Sequence, residues 1–346
     1  MWKCPVCDQE NTATVCPTCG YDQTCDYERY PTAFTVKGAK PTGTLRREWQ
    51  EKQGPALPEL DALETRTPDP LFELYQQEPD QANRMEYLRM SAKMGYAEAQ
   101  CELGDCYYYG RGVAQDRAQA VLWYRKAAQQ GHANAQNNLG ICYYYGRGVE
   151  QNDTQAVQWY RKAAQQGHAN AQNNLGICYY YGRGVEQDYA QAVQWYQKAA
   201  EQGNAWAQNN LGVCYKNGQG VKKDKAQAAQ WYQKAAQQGY AWAQYSLGYC
   251  YYYGQGVKKD RAQAAQWYQK AADQGYAWAQ YNLGNCYCCG YGVKEDDAQA
   301  AQWYRKAADQ GLKYAQLALA DCYRYGWGVP KNSSLAREWR EKAKHN

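Results

Sequence analysis

Four cysteines near the N-terminus have the types and spacing to hold a metal ion. Cys4-x2-Cys7 and Cys16-x2-Cys19, in CPVCD and CPTCG, are two CxxC pairs separated by eight residues. Two such pairs supply four thiolates, the ligand set of a tetrahedral zinc. Pro5 and Pro17 stiffen each turn, and Gly20 relieves the backbone after the second pair. Four cysteine ligands close the coordination sphere, so one structural Zn2+ is expected, with no open position for catalysis. Spacing alone leaves an iron–sulfur cluster or disulfides open for the same residues. Cys25 stands outside both pairs.

Little else in the chain converges on chemistry. The three histidines, His132, His168 and His345, have no partner in a catalytic or zinc pattern and read as solvated turn or terminal residues. Adjacent Cys288 and Cys289 are a weak redox or metal signal. A hydrolase or redox enzyme built on them or on the zinc is one alternative, and non-enzymatic binding is the principal expectation. The Gly-x-Gly elements are not a nucleotide fingerprint, because no strand precedes them. Nucleic-acid binding through residues 1–30 is a further alternative. It is disfavoured by charge: Lys3 and Arg29 against Asp8, Glu10, Asp22, Asp26 and Glu28 give 2 − 5 = −3. The whole chain carries +5 with both signs interspersed, so no strong nucleic-acid or lipid footprint follows. No apolar run reaches the ~18 residues of a membrane span.

The elements that position side chains follow from a period. Cys106, Cys142, Cys178, Cys214, Cys250, Cys286 and Cys322 recur every 36 residues, each followed by Tyr. A fixed period of this size means a solenoid, which grows without one central core. In the unit 133–168, Ala135, Leu139, Cys142 and Tyr143 fall on one helical face. Gly146 and Gly148 break that helix, and Val149 is placed to plug the gap. Asn152 is aligned with Asp116, Asp188, Asp224, Asp260, Asp296 and Asn332, each suited to cap a second helix. That helix carries Ala156, Trp159, Tyr160 and Ala163, and ends at Gly167 as a C′ glycine would. Each unit is therefore a helical hairpin, with Gly140, Ala163 and Ala164 where helices approach closely. Residues 132–167 and 168–203 differ at 5 of 36 positions, which suggests duplication.

The residues resemble the Sel-one-like repeat family, relatives of tetratricopeptide repeats. The matching motif is A-x-A-Q-x-x-L-G-x-x-Y-x-x-G-x-G-V followed by A-x-x-W-Y-x-K-A-A-x-Q-G. The resemblance implies an all-α, right-handed helical-hairpin solenoid of about seven 36-residue repeats acting as a protein-binding scaffold or adaptor. A regulatory or neutralising partner for one toxin, secretion or signalling component is a narrower version. The cysteine pairs resemble the short zinc-ribbon modules of bacterial N-termini. The expected organisation is a ribbon over 1–30, a linker over 31–79 with a possible short helix at 44–53, a capping helix over 80–96, and the repeats over 97–346.

Equivalent positions in stacked hairpins lie about a helix-packing distance apart, ~8–10 Å. A disulfide needs Cα atoms within ~7 Å. The repeat cysteines are therefore expected as free, buried thiols, which suits a reducing, cytoplasmic location. The face of the first helix opposite its core residues is expected to line the concave groove by resemblance to tetratricopeptide repeats. In the middle and late units this stripe offers Trp206, Asn209, Lys216, Trp242, Tyr245, Tyr249, Tyr252, Trp278 and Tyr281. Trp and Tyr are enriched at binding hot spots, so these residues are the candidate contacts for a protein or peptide partner. The competing reading is that the three tryptophans only pack between neighbouring units.

Overall fold

A computed structural model describes residues 2–3, 10–11 and 70–345. Trp2–Lys3 and Glu10–Asn11 form two short antiparallel strands, with Trp2 opposite Asn11 and Lys3 opposite Glu10. Cys4, Cys7, Cys16, Cys19, Cys25 and the short helix expected over 44–53 lie outside the described residues. The rest forms two units, one ending at Gln166 and one beginning at Gly167.

The first unit contains α1 (Pro70–Gln77), α2 (Gln81–Lys93), α3 (Ala97–Tyr109), α4 (Arg117–Gln129), α5 (Ala133–Tyr145) and α6 (Asp153–Gln165). The second contains α7 (Ala169–Tyr181), α8 (Tyr189–Glu201), α9 (Ala205–Asn217), α10 (Lys225–Gln237), α11 (Ala241–Tyr253), α12 (Arg261–Asp273), α13 (Ala277–Cys288), α14 (Asp297–Asp309), α15 (Lys313–Tyr325) and α16 (Ser333–His345). Among the described residues from Pro70 onward the architecture is all-helical, with seven consecutive hairpins beginning at α3.

Local chemistry sets the helix ends. In α10 the side chain of Asp224 accepts hydrogen bonds from Ala226 N (2.9 Å) and Gln227 N (3.0 Å). Asp116, Asn152, Asp188, Asp260 and Asp296 cap their helices in the same way, each such cap stabilising by about 1 kcal/mol. First helices other than α13 end at a left-handed glycine, as at Gly146 (φ 65°). The second glycine of the Gly-x-Gly element has another task. A Cβ on Gly256 would run into the backbone carbonyl of Lys225, at the start of the preceding hairpin's second helix. The hairpins therefore stack on backbone-to-backbone contact.

The core repeats in the same way. Leu211, Cys214, Tyr232 and Ala235 are buried in one hairpin, and Leu247, Cys250, Tyr268 and Ala271 in the next. The repeat cysteines are free and buried, so they pack as small hydrophobes. Burial pushes the Cys142 and Cys214 thiols up to about 12. Each second helix also places a lysine over the tryptophan three residues before it, as with Lys234 over Trp231 at 4.0 Å.

The sequence pattern left a buried glutamine unassigned. Gln244 donates from Nε2 to Ala236 O (3.2 Å), the end of the preceding helix, and accepts at Oε1 from Gln274 Nε2 (2.8 Å). Gln136, Gln208 and Gln280 repeat this two-sided arrangement with Gln166, Gln238 and Gln310.

Two expectations need correction. Part of the segment read as linker is helical: α1 starts with Pro70 at its first position and buries Leu71 and Tyr75, spaced i, i+4, against α2. Its eight residues are too few to show a clear period. His132 and His168 are also not simply solvated. They cap α5 and α7, each accepting at Nδ1 from the N–H three residues on, at 3.3 and 3.1 Å. At the C-terminal end, Arg337, Glu338, Glu341, Lys342 and Lys344 of α16 face solvent while Ala336, Trp339 and Ala343 are buried, the polar outer face that a terminal repeat requires.

Candidate functional site

In the second unit the first helices of successive hairpins, α9, α11, α13 and α15, each carry an aromatic residue at their second position. Trp206 and Trp242 are each 51% exposed, Trp278 39% and Tyr314 55%. The same position is Asn170 in α7. Trp242 and Trp278 have tyrosine neighbours. Trp242 meets Tyr276 at 6.0 Å between centroids, and Trp278 meets Tyr314 at 5.6 Å and Tyr281 at 6.4 Å. Trp242 and Trp278 thus rest on neighbouring rings, and all three tryptophans present a large apolar surface, so packing alone does not account for them.

The remaining stripe residues divide. Tyr245 lies between Tyr268 (5.9 Å) and Tyr276 (5.2 Å), and Tyr281 between Tyr304 (5.9 Å) and Tyr314 (6.2 Å). Both brace adjacent helices as well as lining the face. Tyr252 contacts Tyr268 and Tyr291. Lys216 is exposed, with its ammonium 5.0 Å from the centre of the Tyr249 ring. Burial, the largest cause, raises the Tyr245 and Tyr252 hydroxyls above the usual range, and pushes Tyr276 up to about 12.

Asn209 departs from its expected place at the surface. It is 4% exposed, like Asn137 and Asn173 at the same helical position. First helices are enclosed on more sides than a two-faced helix would be, because they touch their own second helix and the neighbouring hairpins. Asn173 Oδ1 accepts from Asn210 Nδ2 at 3.0 Å. Asn209 Oδ1 is buried and has no hydrogen-bond partner. It lines a cavity of about 250 Å³, together with Ile177, Tyr180, Val213, Tyr240 and Trp242 among others.

The sequence reading did not single out Tyr240 and Tyr276. They stand immediately before α11 and α13, where His132, His168 and Asn204 supply capping side chains, and they make no cap hydrogen bond. A ring in a capping column was the available signal. Cys288 is half-buried and Cys289 exposed. Among the described residues, no three His, Cys, Asp or Glu side chains are grouped to hold a metal, and no helix is long and apolar enough to cross a membrane.

A helical-hairpin solenoid with an aromatic face on its second unit is the class of protein that these features define. The chain belongs to the Sel1 repeat family, which matches at residues 97–132, 133–168, 169–204, 207–240, 243–276, 279–312 and 313–345. It is similar to a protective antigen present in uropathogenic Escherichia coli strains that displays an SLR fold, with 37% identity and a TM-score of 0.70 over 88% of this chain and 64% of that one. The chain therefore spans somewhat less than two thirds of that protein's length. It is also similar to a Sel1 repeat protein from Oxalobacter formigenes, with 36% identity and a TM-score of 0.63 over 68% of this chain and 94% of that one. Among curated proteins none matches. Sel1-repeat proteins generally act as protein-interaction scaffolds and are typically non-enzymatic.

Proposed function

We propose that this chain is a non-enzymatic scaffold or adaptor that holds a peptide or partner protein on the aromatic face of the second unit. One observation carries the reading: Trp206, Trp242 and Trp278 stand exposed at equivalent positions while the scaffold columns beside them are buried. Rigid helices present these indoles already ordered, so binding costs little side-chain entropy, and tryptophan is the residue most enriched at hot spots. Tyr281 stands against Trp278 and Asn209 shares a cavity lining with Trp242; Lys216, Tyr249 and Tyr252 complete the proposed contact set.

Cys4, Cys7, Cys16 and Cys19 are proposed to hold one structural Zn2+. The support is the donor set itself, four cysteines in two CxxC pairs. A reducing compartment such as the cytoplasm is proposed for the chain, because its repeat cysteines are free and buried.

The test is capture from a cell lysate by the intact chain and by a Trp206→Ala, Trp242→Ala, Trp278→Ala variant whose helical circular dichroism is unchanged. A protein retained by the first and lost by the second supports the aromatic face. Equal retention by both sinks it. Elemental analysis tests the metal: about one zinc per chain is expected, and its loss in a Cys4→Ser, Cys16→Ser variant.

A further inference from the structure

The second unit contains a side-chain ladder that is interrupted at Ser246 and at Ala318. Asn210 in α9 reaches back one repeat to Asn173, and Asn282 in α13 bonds Tyr245 in the same way. The residue at this position in α11 is Ser246, whose side chain is shorter. The acceptor it would reach is Asn209 Oδ1, the one buried side-chain nitrogen or oxygen without a hydrogen bond among the described residues. The break thus leaves a buried amide oxygen beside a cavity of about 250 Å³ walled by Tyr180, Val213 and Trp242.

Resting on the aromatic-face reading, we propose that this cavity is a specificity subsite for an extended peptide segment of the partner. The segment donates a main-chain N–H to Asn209 Oδ1 and inserts an uncharged apolar side chain between Tyr180, Val213 and Trp242. Three features select that occupant. A buried acceptor left unpaired costs about 1–3 kcal/mol, so the occupant must bring a donor. None of the cavity's lining residues is charged, which selects against a charged side chain. Trp206, Trp242 and Trp278 recur on successive first helices, spaced by a helix-packing distance of ~8–10 Å. An extended chain rises about 3.3 Å per residue, so about three residues span the step from one hairpin to the next.

Asn209 Oδ1 is sealed within the unbound chain. No hydrogen bond holds that oxygen in place, and the terminal torsion of asparagine is broad. Rotation about χ2 turns the oxygen into the cavity that the residue lines. Asn173 is pinned by Asn210 and lacks this freedom.

The experiment uses a random phage-displayed peptide library selected on the full chain, with the best peptide then measured by tryptophan fluorescence. Ser246→Asn restores the missing rung and occupies Asn209. It is expected to weaken the peptide about tenfold without lowering the urea midpoint, as loss of roughly one buried hydrogen bond would. Ser246→Ala leaves the subsite open and is expected to bind as the parent does. Trp242→Ala tests the face itself and should also weaken binding. N-methylation scanned along the peptide should find one position that weakens binding to the parent chain and not to Ser246→Asn. If Trp242→Ala weakens binding while Ser246→Asn leaves it unchanged, the subsite is overturned and the aromatic face stands. If neither variant alters binding, or the library yields no retained peptide, both fall.

Discussion

Gly212 of α9 lies directly against the ring of Tyr232 in α10: a Cβ on the glycine would sit 2.6 Å from Tyr232 Cε1. Gly140 and Tyr160, and Gly284 and Tyr304, have the same relationship in other hairpins. The last hairpin shows what the pairing is for. Arg340 occupies the tyrosine column there, and the glycine column holds Ala320, which is fully buried. Where the ring is gone, the side chain it excluded returns. Within these hairpins the glycine leaves the space that the tyrosine ring fills.

Gly212→Ala is expected to destabilise the second unit by about 1–3 kcal/mol, the usual cost of overpacking. Urea unfolding followed by circular dichroism reads this directly. Adding Tyr232→Leu to the alanine variant should cost less than the sum of the two single changes, because the pair is in contact. Strict additivity would show that the ring does not depend on the space that the glycine leaves.

Gln244→Ala removes both hydrogen bonds that tie α11 to Ala236 and Gln274. The Ala236 carbonyl then lacks this donor, and a loss of about 1–3 kcal/mol is expected. Gln244→Glu should be worse at neutral pH, because a carboxylate cannot donate to the Ala236 carbonyl and its charge would be buried. A glutamate variant as stable as the parent would show that the donated bond carries nothing.

The buried thiols make stability fall in alkali. Cys142 and Cys214 are held at about 12 by burial, against about 8.5 for a thiol in an unfolded chain. The unfolded state therefore loses these protons first as pH rises. Their contribution is complete below about 8.5 and is lost progressively towards about 12. Urea midpoints should drop between pH 8 and pH 10 (~1 kcal/mol or more when several thiols act together). In the native chain at neutral pH, iodoacetamide should label exposed Cys289 and spare Cys142 and Cys214, as peptide mapping would show.

Acid acts through His132. Burial, its largest cause, lowers this imidazole below its ordinary value, and nearby Glu98 and Asp105 oppose that shift only in part. The unfolded chain binds the proton more readily, so the stabilisation is present above about 6.5 and is lost as pH falls. Protonation of Nδ1 also removes the acceptor that caps Ala135 N. His132→Asn copies the Asn204 cap, which bonds Ala207 N at 2.9 Å and does not titrate in this range. The substituted chain should lose less stability between pH 7 and pH 5 than the parent, by about 1 kcal/mol or less. Equal acid sensitivity would remove His132 from the account.

The sequence by itself determined the hairpin, its period and its ends. Asp224 bonds amides two and three residues ahead, and Gly146 relieves the backbone at its own position; both interactions span a few residues and appear wherever the local pattern does. The burial of Cys142 and the free state of the repeat thiols followed from that pattern and from helix-packing distance. Exposure on the other face was a different problem. Trp206, Asn209 and Lys216 share one stripe of α9, and only the stacked neighbours decided that the indole and ammonium stand in solvent while the amide is sealed. Gln244 looked like one more polar residue until the carbonyl of Ala236 and the amide of Gln274 were placed around it. The unpartnered oxygen of Asn209 depends on Ser246, 37 residues away, being shorter than asparagine. Caps and turns are local contacts and are written in spacing. Burial and hydrogen-bond satisfaction are set by residues a full repeat away, and only tertiary packing brings them together.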